Sequence, residues 1–232
     1  DLFQTSDSGE LEAIVKKVRS AFEETVGKEL AAEALQADKD GLQQNTQFAQ
    51  LRGFYTSTVF WLAFLKHSFS GEPPAEKLIE EGLLKVQIAG DSSGAEPAHF
   101  APGPGYIDDQ IGQVKYGARA TNCRSQLMLA TIHDPGLGGM VATDGLPAWK
   151  VNKLLNKINT HLGQDGLMQL VKHNSPTIKV VAGPREGLNM MGQLVAGKAK
   201  FFDNISPYRF HHSTAMADAA SLYQLYLAQE GA

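Results

Sequence analysis

The chain has 232 residues, enough for one large domain or for a catalytic domain carrying a smaller helical one. Hydrophobic residues make up 43% and charged residues 20%, which excludes a disordered polymer and leaves a packed core as the expectation. A formal charge of -4, with no basic run longer than a pair such as Lys16-Lys17, argues against nucleic acid as a partner.

From the N-terminus, Leu11, Ile14, Val15, Val18, Phe22, Val26 and Leu30 fall at helical spacing and predict an amphipathic helix over residues 9 to 36. Residues 42 to 69 form a second helical stretch rich in aromatics, which "GEPP" at 71 to 74 stops because proline cannot continue a helix. Its most apolar run, "TVFWLAFL", is too short to cross a bilayer, so no membrane partner is expected. A third short helix, "AEKLIEEGLLKVQ", completes a helical N-terminal extension, assigned to residues 1-90. "GDSSGAEPAHFAPGPG", dense in Gly, Pro and Ser, reads as a loop and a domain boundary, leaving 91-232 as the catalytic domain.

Beyond the loop, helices are predicted over 123 to 133, closed by "DPG", and over 148 to 162. The runs "LMQLVKH", "TIKVVAG", "GQLVAGKAKFFDN" and "YRFHHS" are split by turn residues and predict strands of an antiparallel sheet; "TAMADAASLYQLYLAQ" returns to helix. The expected class is therefore α/β in the broad sense, α+β by element order. The P-loop, Rossmann, zinc-protease and serine-hydrolase (G-x-S-x-G) spellings are read as missing, and the adjacent His211 and His212 would point to opposite faces of a strand, so neither metal nor cofactor is expected. A single cysteine forms no internal disulfide, which suggests a reducing compartment. The first residue is Asp1, not Met, so removal of an N-terminal piece is expected, and targeting is not legible.

That cysteine, Cys123, is the candidate nucleophile. With Asn122 as N-cap, Cys123 would sit in the first turn of a helix, where free backbone N–H groups and the helix dipole stabilise a thiolate. The alternative is a small buried hydrophobe. A nucleophilic thiol needs a base, and among seven histidines His173 is preferred because it ends an apolar strand before the turn "NSP". Gln193, read at the start of the next strand, would orient the imidazole.

Cys, His and Gln in that order, in the contexts "TNCR" and "VKHNS" and spaced by 50 and then 20 residues, resemble the cycle inhibiting factor family of type III secreted bacterial effectors. The resemblance implies a papain-like cysteine hydrolase fold with a helical extension, and a protein-glutamine deamidase that converts a glutamine of ubiquitin, and of the ubiquitin-like modifier on cullins, to glutamate. It further implies inhibition of cullin-RING ligases, arrest of the host cell cycle, delivery into the host cell, and a catalytic triad of Cys123, His173 and Gln193; a monomer is the default expectation. A papain-like protease or transglutaminase, or a noncatalytic adaptor binding a host protein, are the alternatives.

Overall fold

In a computed structural model of the chain, the described residues are 8–68, 73–90, 94–104, 107–130, 138–163, 168–206 and 217–230. They contain helices α1 (Ser8–Val26), α2 (Lys28–Gln36), α3 (Lys39–Gln44), α4 (Thr46–Lys66), α5 (Ala75–Glu80), α6 (Ala95–His99), α7 (Ile107–Ala130), α8 (Ala148–Leu162), α9 (Arg185–Val195) and α10 (Ala217–Glu230), with strands β1 (Gly138–Asp144), β2 (Gln169–His173), β3 (Lys179–Pro184) and β4 (Lys200–Ser206). The α+β class is as expected. Two compact units divide the chain, Asp1–Ser125 and Gln126–Ala232, so the boundary expected at residue 90 falls inside the first.

The first unit is helical. The stripe predicted for the N-terminal helix is buried at Ile14, Val18, Ala21 and Phe22, at the spacing that puts one face of α1 in the core. The single helix expected over 9 to 36 is two, because Gly27 takes φ 94°, a conformation that glycine adopts without a Cβ clash and that breaks the ladder between α1 and α2. The aromatic helix is likewise started afresh: the Asn45 carboxamide oxygen accepts from the backbone N–H groups of Gln47 (2.9 Å) and Phe48 (3.3 Å), capping α4. Leu51, Phe54, Thr58, Leu62 and Leu65 then recur every three or four residues and are buried. In α7 the buried stripe is Val114, Ala118, Thr121 and Ser125, mostly small side chains that allow close packing.

The second unit alternates β1-α8-β2-β3-α9-β4. Its four strands pair in the order β2-β3-β1-β4, every pair antiparallel. This is the split βαβ, or ferredoxin-like, arrangement. Val141 and Val181, opposite each other in the register, point to the face covered by Val151, Leu155 and Ile158 of α8 and Leu188, Met191 and Val195 of α9. Met140, Ala142, Val180 and Ala182 form a buried cluster on the other face, as the two-residue period of a strand requires. The strand expected in "GQLVAGKAKFFDN" is a helix followed by a strand, since α9 ends at Val195 and β4 starts at Lys200. The expected strand "YRFHHS" lies outside the described residues.

Candidate functional site

Cys123 is not in a first turn. α7 begins at Ile107, so the thiol sits in the interior of a long helix, away from the free N–H groups that would stabilise a thiolate. Burial raises its pKa above the ordinary thiol value, the direction of an inert cysteine. Asn122 is not a cap either: its side-chain oxygen accepts from Gln47 Nε2 (2.8 Å) and its carbonyl from Ser125 Oγ (2.8 Å). His173 does end a strand, exposed at the tip of β2 and opposite Lys179 of β3. Gln193 is exposed in the last turn of α9, where its carbonyl accepts the N–H of Ala196. A residue on that helix has no place in the strand register assumed for it, and no hydrogen bond joins His173 to Gln193 among the described residues. Cys123 belongs to the first unit and the other two to the second.

A different constellation lies wholly within the first unit. The stretch read above only as a loop contains Gly90-Asp91-Ser92-Ser93-Gly94, spelled G-x-S-x-G, the pattern of a serine held on a sharp turn into a helix. The expectation that no G-x-S-x-G is present is therefore wrong: the motif stands at residues 90 to 94, where the surrounding Gly, Pro and Ser dominate the local texture. Asp91, Ser92 and Ser93 lie outside the described residues, but both flanking glycines are described. A Cβ added to Gly90 would meet the carbonyl oxygen of Gly94 at 1.8 Å, so the two ends of the motif touch and only glycine fits at the first. α6 starts directly after Gly94.

Two features flank this turn. On one side is an apolar cleft of about 730 Å³ lined by Phe60 and Trp61 of α4, Val86 and Ile88 of the irregular segment before the motif, and Pro97 and Ala98 of α6; Gly90 and Gly94 themselves open onto it. Trp61 is held by a 2.7 Å bond from its indole N–H to the carbonyl of Pro102. A cleft of this size and lining is of the kind that takes a small, largely apolar ligand. On another face of α6, Glu96 is buried and meets Arg124 of α7: one guanidinium nitrogen donates to Glu96 Oε2 and to Gln50 Oε1, each at 2.9 Å. Burial raises the Glu96 pKa above its ordinary 4.5, with Arg124 pulling the opposite way. A half-buried guanidinium is thus paired with Glu96, two residues past the end of the motif. Its planar fork of donors suits a carboxylate.

Among the described residues no group of three His, Cys, Asp or Glu side chains could hold a metal, and no helix is long and apolar enough to cross a membrane.

No protein-family model and no curated protein matches the chain. Solved structures do. The chain is similar to a malonyl-transacylase, PlMCAT, solved in complex with the type II polyketide synthase acyl-carrier protein AntF, with a TM-score of 0.70 and 22% identity over 99% of this chain and 66% of that one. It is similar to the malonyl CoA-acyl carrier protein transacylase of Clostridium perfringens (TM-score 0.63, 19% identity, 98% of this chain, 62% of that). It is also similar to the acyl carrier protein S-malonyltransferase of Vibrio cholerae (0.67, 22%, 96% and 65%). At these identities the likeness establishes the fold, that of the malonyl transacylases, and the chain spans slightly less than two thirds of the length of these relatives.

This finding overturns the resemblance to the cycle inhibiting factor family. Neither the papain-like fold nor a glutamine deamidase acting on ubiquitin and the cullin modifier is what the neighbours are, and the carrier protein in the AntF complex is a partner of another kind. The order Cys, His, Gln was a weak signal in a chain whose seven histidines offer many pairings with one cysteine.

Proposed function

We propose that the chain is the acyl-loading part of an acyltransferase that moves a short, carboxylate-bearing acyl group between thioesters, in the manner of malonyl transfer from coenzyme A to an acyl carrier protein. The observation that carries the reading is the close approach of Gly90 and Gly94, the two ends of the G-x-S-x-G motif, on a chain with the malonyl-transacylase fold. Ser92 is the nucleophile in this reading. Its oxygen attacks the thioester carbonyl, the C–S bond breaks, and the thiol of coenzyme A departs with a proton. The acyl-serine ester is then attacked by the carrier's thiol, which regenerates the serine hydroxyl. The base that takes and returns the proton is one of the histidines following the motif, in the Ser-before-His order of this motif class. The N–H of the residue after the serine is the motif's oxyanion donor.

Arg124 fits the second half of the specificity. A malonyl group ends in a carboxylate, and a half-buried guanidinium that uses one nitrogen for one acid and one amide retains further donors for it. The cleft beside α6 would take the thioester arm.

The test is acyl transfer from malonyl-coenzyme A to free pantetheine and to an acyl carrier protein. Ser92→Ala is expected to lower transfer at least about a thousandfold, and Arg124→Ala to lower the preference for malonyl over acetyl thioester by one to two orders of magnitude. Transfer unchanged in Ser92→Ala would overturn the reading.

A further inference from the structure

A second concave surface lies within the second unit, where α8, α9 and the turn after β1 enclose a groove of about 760 Å³. Its floor is apolar, with Leu146, Leu154, Leu194 and Val195, and its rim carries Lys150, Lys153, Lys157 and Lys198. On a protein of net charge -4, α8 has three lysines and no acidic residue. Lys153, Lys157 and Lys198 make no ion pair among the described residues, and Lys150 lies over the ring of its neighbour Trp149 at 5.3 Å. Trp149 is itself 64% exposed at the mouth of the groove.

A row of surface lysines alone would be a solvated helix face. Here the row borders an apolar cavity, and its spacing says what would fill it. Lys150, Lys153 and Lys157 recur at i, i+3 and i+7, one edge of a helix about 10 Å long at 1.5 Å per residue. A compact anion such as phosphate needs converging donors, whereas these are strung out in a line. A line of cations beside a strip of Leu and Val complements a helix with apolar residues on one stripe and Asp or Glu flanking it.

We propose that the α8–α9 groove docks an acidic amphipathic helix of a partner protein, with Leu154, Leu194 and Trp149 taking its apolar stripe and the four lysines its flanking carboxylates. This surface belongs to the second unit and Ser92 to the first, and the proposal does not depend on acyl transfer.

The probe is a fluorescein-labelled, hydrocarbon-stapled helical peptide with leucines at i, i+4 and i+7 and glutamates on both flanks, titrated by anisotropy with the full chain. Saturable binding is expected. It should weaken about tenfold or more in Lys153→Glu/Lys157→Glu, in Trp149→Ala, and on raising salt from about 50 to about 500 mM. All three substituted positions are exposed, and circular dichroism melts of both variants check that the fold is kept. A stapled isomer of the same composition, with leucines and glutamates scrambled, should bind at least about tenfold more weakly. Equal binding of the scrambled isomer would reduce the groove to general charge attraction and overturn the proposal. So would unchanged affinity in the variants, absence of saturable binding, or tighter capture by phosphatidylserine vesicles than by the peptide, which would make this face a membrane surface.

Discussion

Two residues with hydroxyl or thiol chemistry divide the roles between them. Cys123 has the more intrinsically reactive atom, yet its place inside α7 and its burial hold the proton on sulfur. Alkylation of Cys123 by iodoacetamide is therefore expected to be slow at pH 8 and to accelerate only above the ordinary thiol value of 9.0, and Cys123→Ala should retain acyl transfer within about twofold. Rapid labelling at neutral pH would contradict the assignment. Glu96 makes a second prediction at this scale. Its folded pKa is raised above 4.5, so the native state holds this proton more tightly than the unfolded chain does. Its contribution to stability is complete below pH 4.5 and is lost as pH rises through the raised native value. Glu96→Gln keeps an acceptor for Arg124 while removing the titration, so the difference in melting temperature between variant and wild type should shift in the variant's favour from pH 4 to pH 7. Melting curves that stay parallel across that range would contradict it.

At the scale of elements, what could be read in advance followed from how strongly periodicity and punctuation agreed. α8 was legible to its ends, because Val151, Leu155 and Ile158 alternate with lysine and asparagine between Pro147 and Gly163. β2 and β3 were legible as apolar runs separated by "NSP". α9 was not: Leu188, Met191 and Val195 carry a helical period, but "QLV" and "AGKAKFF" read together as one apolar strand and hid it. The part of α7 before residue 123 was missed because its buried face uses mostly alanine and threonine where a stripe of large apolar residues would be recognised. Strand β1 was not predicted, its two leading glycines outweighing the buried run that follows. The candidate site was misread for the related reason that composition was weighed before order: five residues of G-x-S-x-G were lost in a Gly-Pro-Ser stretch. Capping gives a direct check at this scale. Asn45→Ala removes the acceptor for two N–H groups at the start of α4 and should cost about 1 kcal/mol in chemical unfolding, whereas Asn45→Asp should be nearly neutral.

For the molecule as a whole, the two units do different things in the proposed chemistry. The helical unit carries the serine motif, the apolar cleft and the Arg124–Glu96 pair. The ferredoxin-like unit keeps a core of its own, with Met191 fully buried between α8 and the sheet, so Met191→Ala should destabilise by about 2–5 kcal/mol. The order of strands in that unit could not be read from the sequence, because antiparallel pairing of β1 with both β3 and β4 is set by long-range packing and not by any local pattern. The resemblance to the cysteine effectors failed at this scale too, since three residues in order say little about how 232 are arranged.

The central claim is an acyl group carried on Ser92, and intact-mass spectrometry after brief incubation with malonyl-coenzyme A tests it most directly. The account predicts a mass gain of one malonyl group on the wild-type chain and on Cys123→Ala, mapped by peptide fragmentation to Ser92, removed by free pantetheine and absent from Ser92→Ala. An adduct that persists in Ser92→Ala, or one that disappears in Cys123→Ala, would contradict it.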